Sequence, residues 1–384
     1  MLFRTPRLTP SEAGVVERTD SLRQRLRYVL SEPKRWNGLL RRQALARAIR
    51  GSNTIEGYDV TRDDAVAAAE GDEPFDAEGT TWSAVTGYRR AMTYVLQLAE
   101  DPHFRYGPNI IRSLHFMMTD YDLSIRPGQW RPGAIYVRHE PTGEIVYEGP
   151  DAALVPGLID ELVSWIEERD QEVPHLVRAA MAHLNLVMIH PFKDGNGRMA
   201  RCLQTLMLAR EGILAPEFSS IEEYLGDQTQ EYYRVLAEVG RGKWNPNLDA
   251  RPWVRFTLTA HFRQANALLA RSEEMRDVCD AIEEIVGQRG LPERSVIPMA
   301  TAAYGFRVRN SNYRSGADVS TEVASKDLKL LSNAGLLIAH GEKRGRYYVG
   351  APLLREICER RRRPRSLEDP FDPSTHQQGA LFDE

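Results

Sequence analysis

The sequence predicts a mainly helical protein with two short β-hairpins, the second inside a small α+β unit towards the C-terminus. Three observations carry this. Apolar residues recur at three- and four-residue spacing through most of the chain. At two places the pattern changes to short apolar or alternating runs around turn residues, the sign of a hairpin. The chain has 384 residues, 42% of them apolar, enough for two or three globular domains.

In chain order, residues 1–33 read as a leading arm and a short helix over 21–30. A clearer helix runs over 37–51, with Leu39, Leu40, Ala44 and Ile49 on one side and Gly51 at its end. Residues 71–79 are acidic and glycine-bearing, hence a surface loop. Helices follow over 81–100 and 108–121, then the turn-rich stretch Pro127-Gly128-Gln129-Trp130-Arg131. Ile135–Arg138 and Ile145–Tyr147 flank Pro141-Thr142-Gly143 as the first hairpin. Helices are expected over 158–169, from Pro174 to about 189, around Glu231–Leu236, and over 252–271. A further domain begins near Glu273. Its clearest parts are a helix over 320–333 burying Ala324, Leu328 and Leu331, with Gly335 just past its end, and a hairpin of Leu336–His340 and Arg346–Val349.

The chemistry concentrates in His190-Pro191-Phe192-Lys193-Asp194-Gly195-Asn196-Gly197-Arg198-Met199-Ala200-Arg201. A packed helix with Leu176, Ala179, Ala180, Leu184, Val187 and Met188 on its apolar face leads into it, and Pro191 cannot continue that helix. A second helix starts near Gly197, burying Met199, Cys202, Leu203 and Leu206. The loop 194–197 therefore lies at a helix N-terminus, where free N–H groups and the helix dipole favour anions. Arg198 and Arg201 share one helix face and suit phosphate oxygens. Asp194 is a hard oxygen ligand of the kind Mg²⁺ takes, and His190 titrates near neutrality. Each feature alone is commonplace: a helix-end histidine, a turn, a pair of surface arginines. Together in this order they describe a phosphate-binding turn with a divalent metal and a base.

The stretch resembles the Fic family signature, HPFx[DE]GNGRxxR, at every fixed position. The resemblance implies a Fic helical core with a β-hairpin flap that transfers AMP from ATP to a Tyr, Thr or Ser hydroxyl of a target protein. It implies that His190 is the base, Asp194 holds Mg²⁺, Gly195, Asn196 and Gly197 cradle the phosphates, and Arg198 and Arg201 neutralise them. Ser52-x-x-x-Glu56-Gly57 matches the family's [ST]xxxE[GN] inhibitory motif, so Glu56 is expected to occupy Arg201. The same glutamate, in the alternative, orients a water for AMP removal. Whether it acts within one chain or across a homodimer is left open. Target proteins are expected to dock at the hairpin 135–147, and Tyr233 is placed on the adenine side.

The resulting domain plan is 1–57 for the inhibitory region, 58–272 for the catalytic domain, 273–363 for a unit resembling a winged helix, and 364–384 for a disordered tail. Lysines and arginines exceed acids about two to one over 291–365 on a chain of net charge −4. Lys326, Lys329, Lys343, Arg344 and Arg346 are the candidate DNA contacts of 320–349, and a nucleotide-sensing DNA-binding regulator is the competing function; a protein-contact module is the plainer use of such a unit. The tail residues Gln378–Phe382 are similar to peptides that bind the bacterial sliding clamp. Cys202, Cys279 and Cys358 show no metal or disulfide spacing. The N-terminus lacks the apolar run of a signal peptide and no stretch is long enough to span a membrane, so a cytoplasmic location is expected.

Overall fold

The computed structural model describes the chain apart from residues 32–33, 35, 139–142, 169–171, 366–367 and 373–384. The hairpin turn at Pro141 and Thr142, the helix end at Arg169 and the peptide 378–382 thus lie outside the described residues. The N-terminal half contains α1 (Pro10–Ser31), α2 (Asn37–Thr54), α3 (Arg62–Glu70), α4 (Gly79–Glu100), α5 (Pro108–Thr119), strands β1 (Tyr136–Arg138) and β2 (Ile145–Glu148), and α6 (Val155–Glu167). The central pair is α7 (His175–Ile189) and α8 (Asn196–Ala209), followed by α9 (Pro216–Ser219), α10 (Glu222–Asp227), α11 (Thr229–Gly240) and β3 (Gly242–Lys243). The long α12 (Arg251–Gln288) leads to α13 (Val296–Ala303), α14 (Asn310–Ala317), α15 (Thr321–Asn333), β4 (Leu337–His340), β5 (Tyr347–Gly350) and α16 (Pro352–Arg361). The architecture is mainly helical with two small sheets, as expected.

Helices α3, α9, α10, α13, α14 and α16 were not expected, and three of the expected helices have markedly different bounds. The first is far longer than 21–30. Its start is fixed by a reciprocal cap: the Thr9 amide donates to Glu12 Oε2 (2.8 Å) and the Glu12 amide donates to Thr9 Oγ1 (3.3 Å). Val15, Val16, Thr19 and Leu26 then bury one face, chiefly along α12. The second, α2, does not end at Gly51 but continues to Thr54. Gly51 is there for close approach. A Cβ on it would stand 2.3 Å from the Glu222 carbonyl oxygen of α10, and one on Gly226 would meet the Gly51 Cα at 2.7 Å. The third, α12, does not stop at Arg271. It runs unbroken for 38 residues, because Met275, Val278, Cys279, Ile282 and Val286 continue the buried face. The boundary expected at 273 falls inside it.

Helix α3 was not foreseen, and the acidic loop after it is not bare surface. The Phe75 ring lies 3.4 Å beneath the Arg309 guanidinium, and Ser311 donates to Asp72 (2.8 Å). The first hairpin gains an unforeseen third strand, since β3 pairs in parallel with β2. In the C-terminal half, Ser320 caps α15 and Ala324, Leu328 and Leu331 are fully buried. Gly335 follows in the left-handed region, φ +69°. Buried Asp327 takes a forked ion pair from Arg294 (2.6 and 3.0 Å) and a hydrogen bond from Tyr313 (2.8 Å), pinning α15 to its neighbours. The stretch Glu368–Asp372 packs back on the helices, with the Arg255 guanidinium 4.0 Å over the Phe371 ring. Among the described residues no helix is long and apolar enough to cross a membrane.

Candidate active site

Helix α7 ends by turning His190 into the left-handed region, φ +51°. His190 Nδ1 lies 3.0 Å from the Val187 carbonyl oxygen. A carbonyl can only accept, so Nδ1 carries the proton and Nε2 keeps its lone pair. Burial pushes the ring's pKa below its ordinary value, with the Val187 carbonyl opposing in part. The site thus holds a neutral imidazole with an acceptor nitrogen.

Arg131 holds this turn in place. Its Nε donates to the His190 carbonyl (2.8 Å), Nη1 to Gly133 (2.6 Å), and Nη2 to Pro150 at the foot of the hairpin (2.5 Å). One guanidinium therefore ties the histidine turn to the strand pair. The next loop is clamped by Asn196. Its Oδ1 accepts from the Phe192 amide (2.8 Å) and its Nδ2 donates to the Phe192 carbonyl (3.0 Å). The Asn196 side chain is thereby used up in shaping the loop, which leaves the backbone of 195–197 to face an anion.

His115 on α5 sits behind the loop. Nδ1 accepts from the Gly128 amide (2.9 Å), so Nε2 carries the proton that it donates to the Asp194 carbonyl (2.9 Å). The ring stacks on Phe192 at 3.6 Å, and burial lowers its pKa to about 4. It is a neutral spacer. Gly195 is left-handed (φ +75°), and a Cβ there would press Thr119 at 3.2 Å.

At the mouth of α8 the two arginines are both almost wholly buried yet differ in partners. Arg201 Nε donates to Ser52 Oγ (2.8 Å), and Nη2 donates to the Ser52 carbonyl (2.9 Å) and to Glu56 Oε1 (2.6 Å). Burial opposes its charge, but the Glu56 carboxylate overrides this and raises its pKa. Arg198 is left with weaker contacts: Tyr121 Oη at 3.5 Å, Asp194 Oδ2 at 3.8 Å, and the Tyr58 ring at 5.2 Å. Its Nε and Nη1, and Nη1 of Arg201, meet no hydrogen-bond partner among the described residues. Buried guanidinium nitrogens without acceptors are costly unless an anion supplies them. The residues present thus fit a phosphate chain.

Gly197 explains how Glu56 reaches this point. A Cβ there would lie 2.3 Å from Glu56 Oε1 and 3.0 Å from Arg201 Nη1. The Glu56 carboxylate, on the turn after α2, therefore lies directly over the start of α8, within one chain. The expected adenine-side residue, Tyr233, is found beside the same turn; its hydroxyl donates to the Ile55 carbonyl (2.9 Å) while its ring is half-exposed. The structure thus brings Ser52, Glu56, Asp194, Arg198 and Arg201 together, with His190 on the adjoining turn. Sequence reasoning missed His115, Tyr58 and Tyr121, and gave Arg131 no role. A lone histidine on an apolar helix face, as His115 is, carries no sequence signal for a loop contact made 79 residues away.

These features define an anion cradle at a helix N-terminus beside a neutral histidine acceptor, with one cradle arginine already engaged by a carboxylate of the same chain. Residues 107–208 match the model of the Fic/DOC family, so the chain carries a Fic domain. Over 128 residues it is 34% identical to a Protein adenylyltransferase Fic of Nematostella vectensis, covering 31% of this chain and 27% of that protein. Over 209 residues it is 27% identical to a protein of the same name from Aedes aegypti, covering 54% of this chain and 38% of that one. The chain thus spans well under half the length of these relatives. Among solved structures, a Fic family protein from Desulfovibrio desulfuricans G20 has a TM-score of 0.58 at 20% identity, covering 91% of this chain and 98% of that one. A Fic-1 structure from C. elegans has a TM-score of 0.55 at 20% identity, covering 68% and 72%. Both likenesses concern the fold.

Proposed function

We propose that this protein is an adenylyltransferase that moves AMP from ATP to a Tyr, Thr or Ser hydroxyl of a target protein, and that Glu56 restrains it. The observation that carries this reading is the pair of buried arginines at the α8 mouth, both with nitrogens that meet no partner among the described residues and one of them held by Glu56 at 2.6 Å. The names of the curated relatives support the same chemistry.

His190 Nε2 accepts the proton of the incoming hydroxyl as its oxygen bonds to the α-phosphorus. The bond from that phosphorus to the bridging oxygen breaks, and pyrophosphate leaves. The amides of 195–197, Arg198 and Arg201 hold the outer phosphates and stabilise the leaving charge. Asp194, whose side chain is 46% exposed, would be the residue to hold Mg²⁺; one or two carboxylates plus substrate phosphates is the usual ligand set for that ion. When bound, the metal would neutralise and orient the phosphates. Glu56 acts by removing one donor from this set, so bound ATP is misaligned and slow. The hairpin exposes Tyr136 on its edge strand β1 and Ile145 and Val146 on β2, a surface suited to an extended target segment.

The test is transfer of label from α-labelled ATP to protein. Transfer is expected with Glu56→Gly, little with the unaltered chain, and none with Glu56→Gly/His190→Ala. Label that persists without His190, or that arrives only from γ-labelled ATP, overturns the reading. Removal of AMP from a modified target, with Glu56 orienting water, is tested by loss of label that requires Glu56.

A second reading rests on exposed Lys326 and Lys329 on α15 and exposed Lys343 and Arg346 at the second hairpin. The side chain of Arg344 lies outside the description. These groups suit phosphates of duplex DNA. DNA binding with a steep salt slope, unchanged in His190→Ala, supports it; binding that is flat with salt removes it.

A further inference from the structure

A second concentration of arginines lines a cavity that shares none of the residues of the α8 mouth. The cavity, of about 700 Å³, opens between α2, α10, α12, α16 and the chain that follows α16. Its wall holds eight arginines against four carboxylates, among them Arg47 and Arg50 of α2, Arg62, Arg271, Arg362 and Arg365. The carboxylates are largely spoken for. Glu223 takes Arg271 as a fork (2.6 and 2.6 Å), and Asp227 is pressed towards its neutral form by burial and by Glu223.

Several donors inside remain open. Nη1 of Arg47, Nε of Arg271 and the hydroxyl of Tyr304 are buried and meet no hydrogen-bond partner among the described residues. Arg271 is only 7% exposed. The arginines also repel one another. Burial, then the charge of Arg271, lowers the Arg47 pKa to about 9, and Arg62 and Arg365 are lowered as well, burial again leading. Buried donors of Arg47, Arg271 and Tyr304 without acceptors, ringed by the exposed Arg50, Arg62, Arg362 and Arg365, are held at small cost when an anion of matching reach enters from solvent and supplies them. The volume is in the range of small-molecule sites, roughly 300–1,000 Å³.

We propose that this cavity is a second anion site, built for a small molecule bearing more than one phosphate. The arginines supply the charge, Tyr304 a neutral donor, and the fork geometry of guanidinium favours phosphate over halide. The site sits on the helix that also carries Ser52, and Glu56 follows on the turn beyond it. An occupant that draws Arg47 and Arg50 inward acts on the element that engages Arg201. That consequence depends on the adenylyl-transfer reading; the binding itself does not.

The experiment is calorimetric titration of full-length protein carrying Arg198→Ala, so that the α8 cradle is weakened. Tripolyphosphate and ADP are the probes, with inorganic phosphate as the monovalent-site comparison. Tripolyphosphate or ADP is expected to bind once per chain, at least tenfold more tightly than inorganic phosphate. Adding Arg362→Ala/Arg365→Ala, two exposed positions whose loss leaves the core untouched, is expected to weaken that binding at least tenfold. Tighter tripolyphosphate marks a polyphosphate ligand, and tighter ADP a nucleotide; either supports the site. Absence of binding, or binding indifferent to Arg362 and Arg365, overturns it. No arm reads catalysis, so failure of the catalytic reading would leave the result standing.

Discussion

Replacing Gly51 with alanine tests whether the seating of α2 governs Arg201 of the anion cradle. The added methyl would lie 2.3 Å from the Glu222 carbonyl oxygen, 2.8 Å from its carbon and 2.9 Å from the Glu223 Cα. All three are backbone atoms, so no side chain can swing aside. The helices must part by about 0.7 Å to restore a contact of 3.0 Å. Over-packing of this kind costs roughly 1–3 kcal/mol. Ser52 is the next residue, and it makes two of the three contacts holding Arg201, at 2.8 and 2.9 Å, while Glu56 makes the third at 2.6 Å. Stretching these by the same amount removes most of their strength, about 1.5–3 kcal/mol for each bond to a charged group. If only part of that is lost from the restrained state, transfer rises by about tenfold, since ~1.4 kcal/mol is a factor of ten. The assay pairs urea unfolding with label transfer, for Gly51→Ala alone and together with Glu56→Gly. The expected result is lower stability in both, faster transfer in the single variant, and no further gain in the double. If Gly51→Ala lowers stability yet leaves transfer unchanged, the contact between α2 and α10 does not govern Arg201 and the reasoning fails.

Other outcomes follow from the same geometry. Asn196→Ala strips both bonds from the buried Phe192 amide and carbonyl, so unfolding free energy should fall by about 2–4 kcal/mol, read by denaturant melts. Asp327→Ala leaves the Tyr313 hydroxyl buried without its acceptor, and should cost about 1–3 kcal/mol, seen as earlier melting of the C-terminal half. His115, His183 and His261 have pKa values lowered by burial from 6.5 to about 4, 3 and 3. The unfolded chain then binds more protons than the folded one below pH 6.5, so their stabilising contribution is full above that pH and is lost as pH falls towards 4 and 3. A denaturant midpoint that stays flat across this acid range would contradict the neutral assignment. Because the His190 pKa also lies below its ordinary value, label transfer should be level from neutrality upwards and fall only in acid.

Much of the fold was open to reading because helices announce themselves locally. The faces of α7, α8 and α15 were identified by spacing, since their buried residues recur at helical period. The cap of α1 was also in the sequence, as Thr9 followed by Glu12, but its weak apolar pattern hid the helix. Gly51 misled because a glycine at a helix end and a glycine at a helix crossing look alike in one dimension. Strand β3 was invisible, as two residues pairing with β2 nearly a hundred positions away carry no periodic signal.

The sequence by itself determined the ingredients of the anion cradle, because twelve consecutive residues supply the histidine, the loop, the carboxylate and both arginines, and local turn and helix rules set their order. Tertiary structure decided which of those groups are free. Only packing brings Glu56 within 2.6 Å of Arg201 across 145 positions, leaves Arg198 with open nitrogens, and fixes the His190 proton on Nδ1 through Val187. Only packing gathers arginines from α2, α12 and the segment after α16 around one cavity. Charge and hydrogen-bond capacity are written residue by residue, but whether they are satisfied depends on neighbours that the chain reaches by folding.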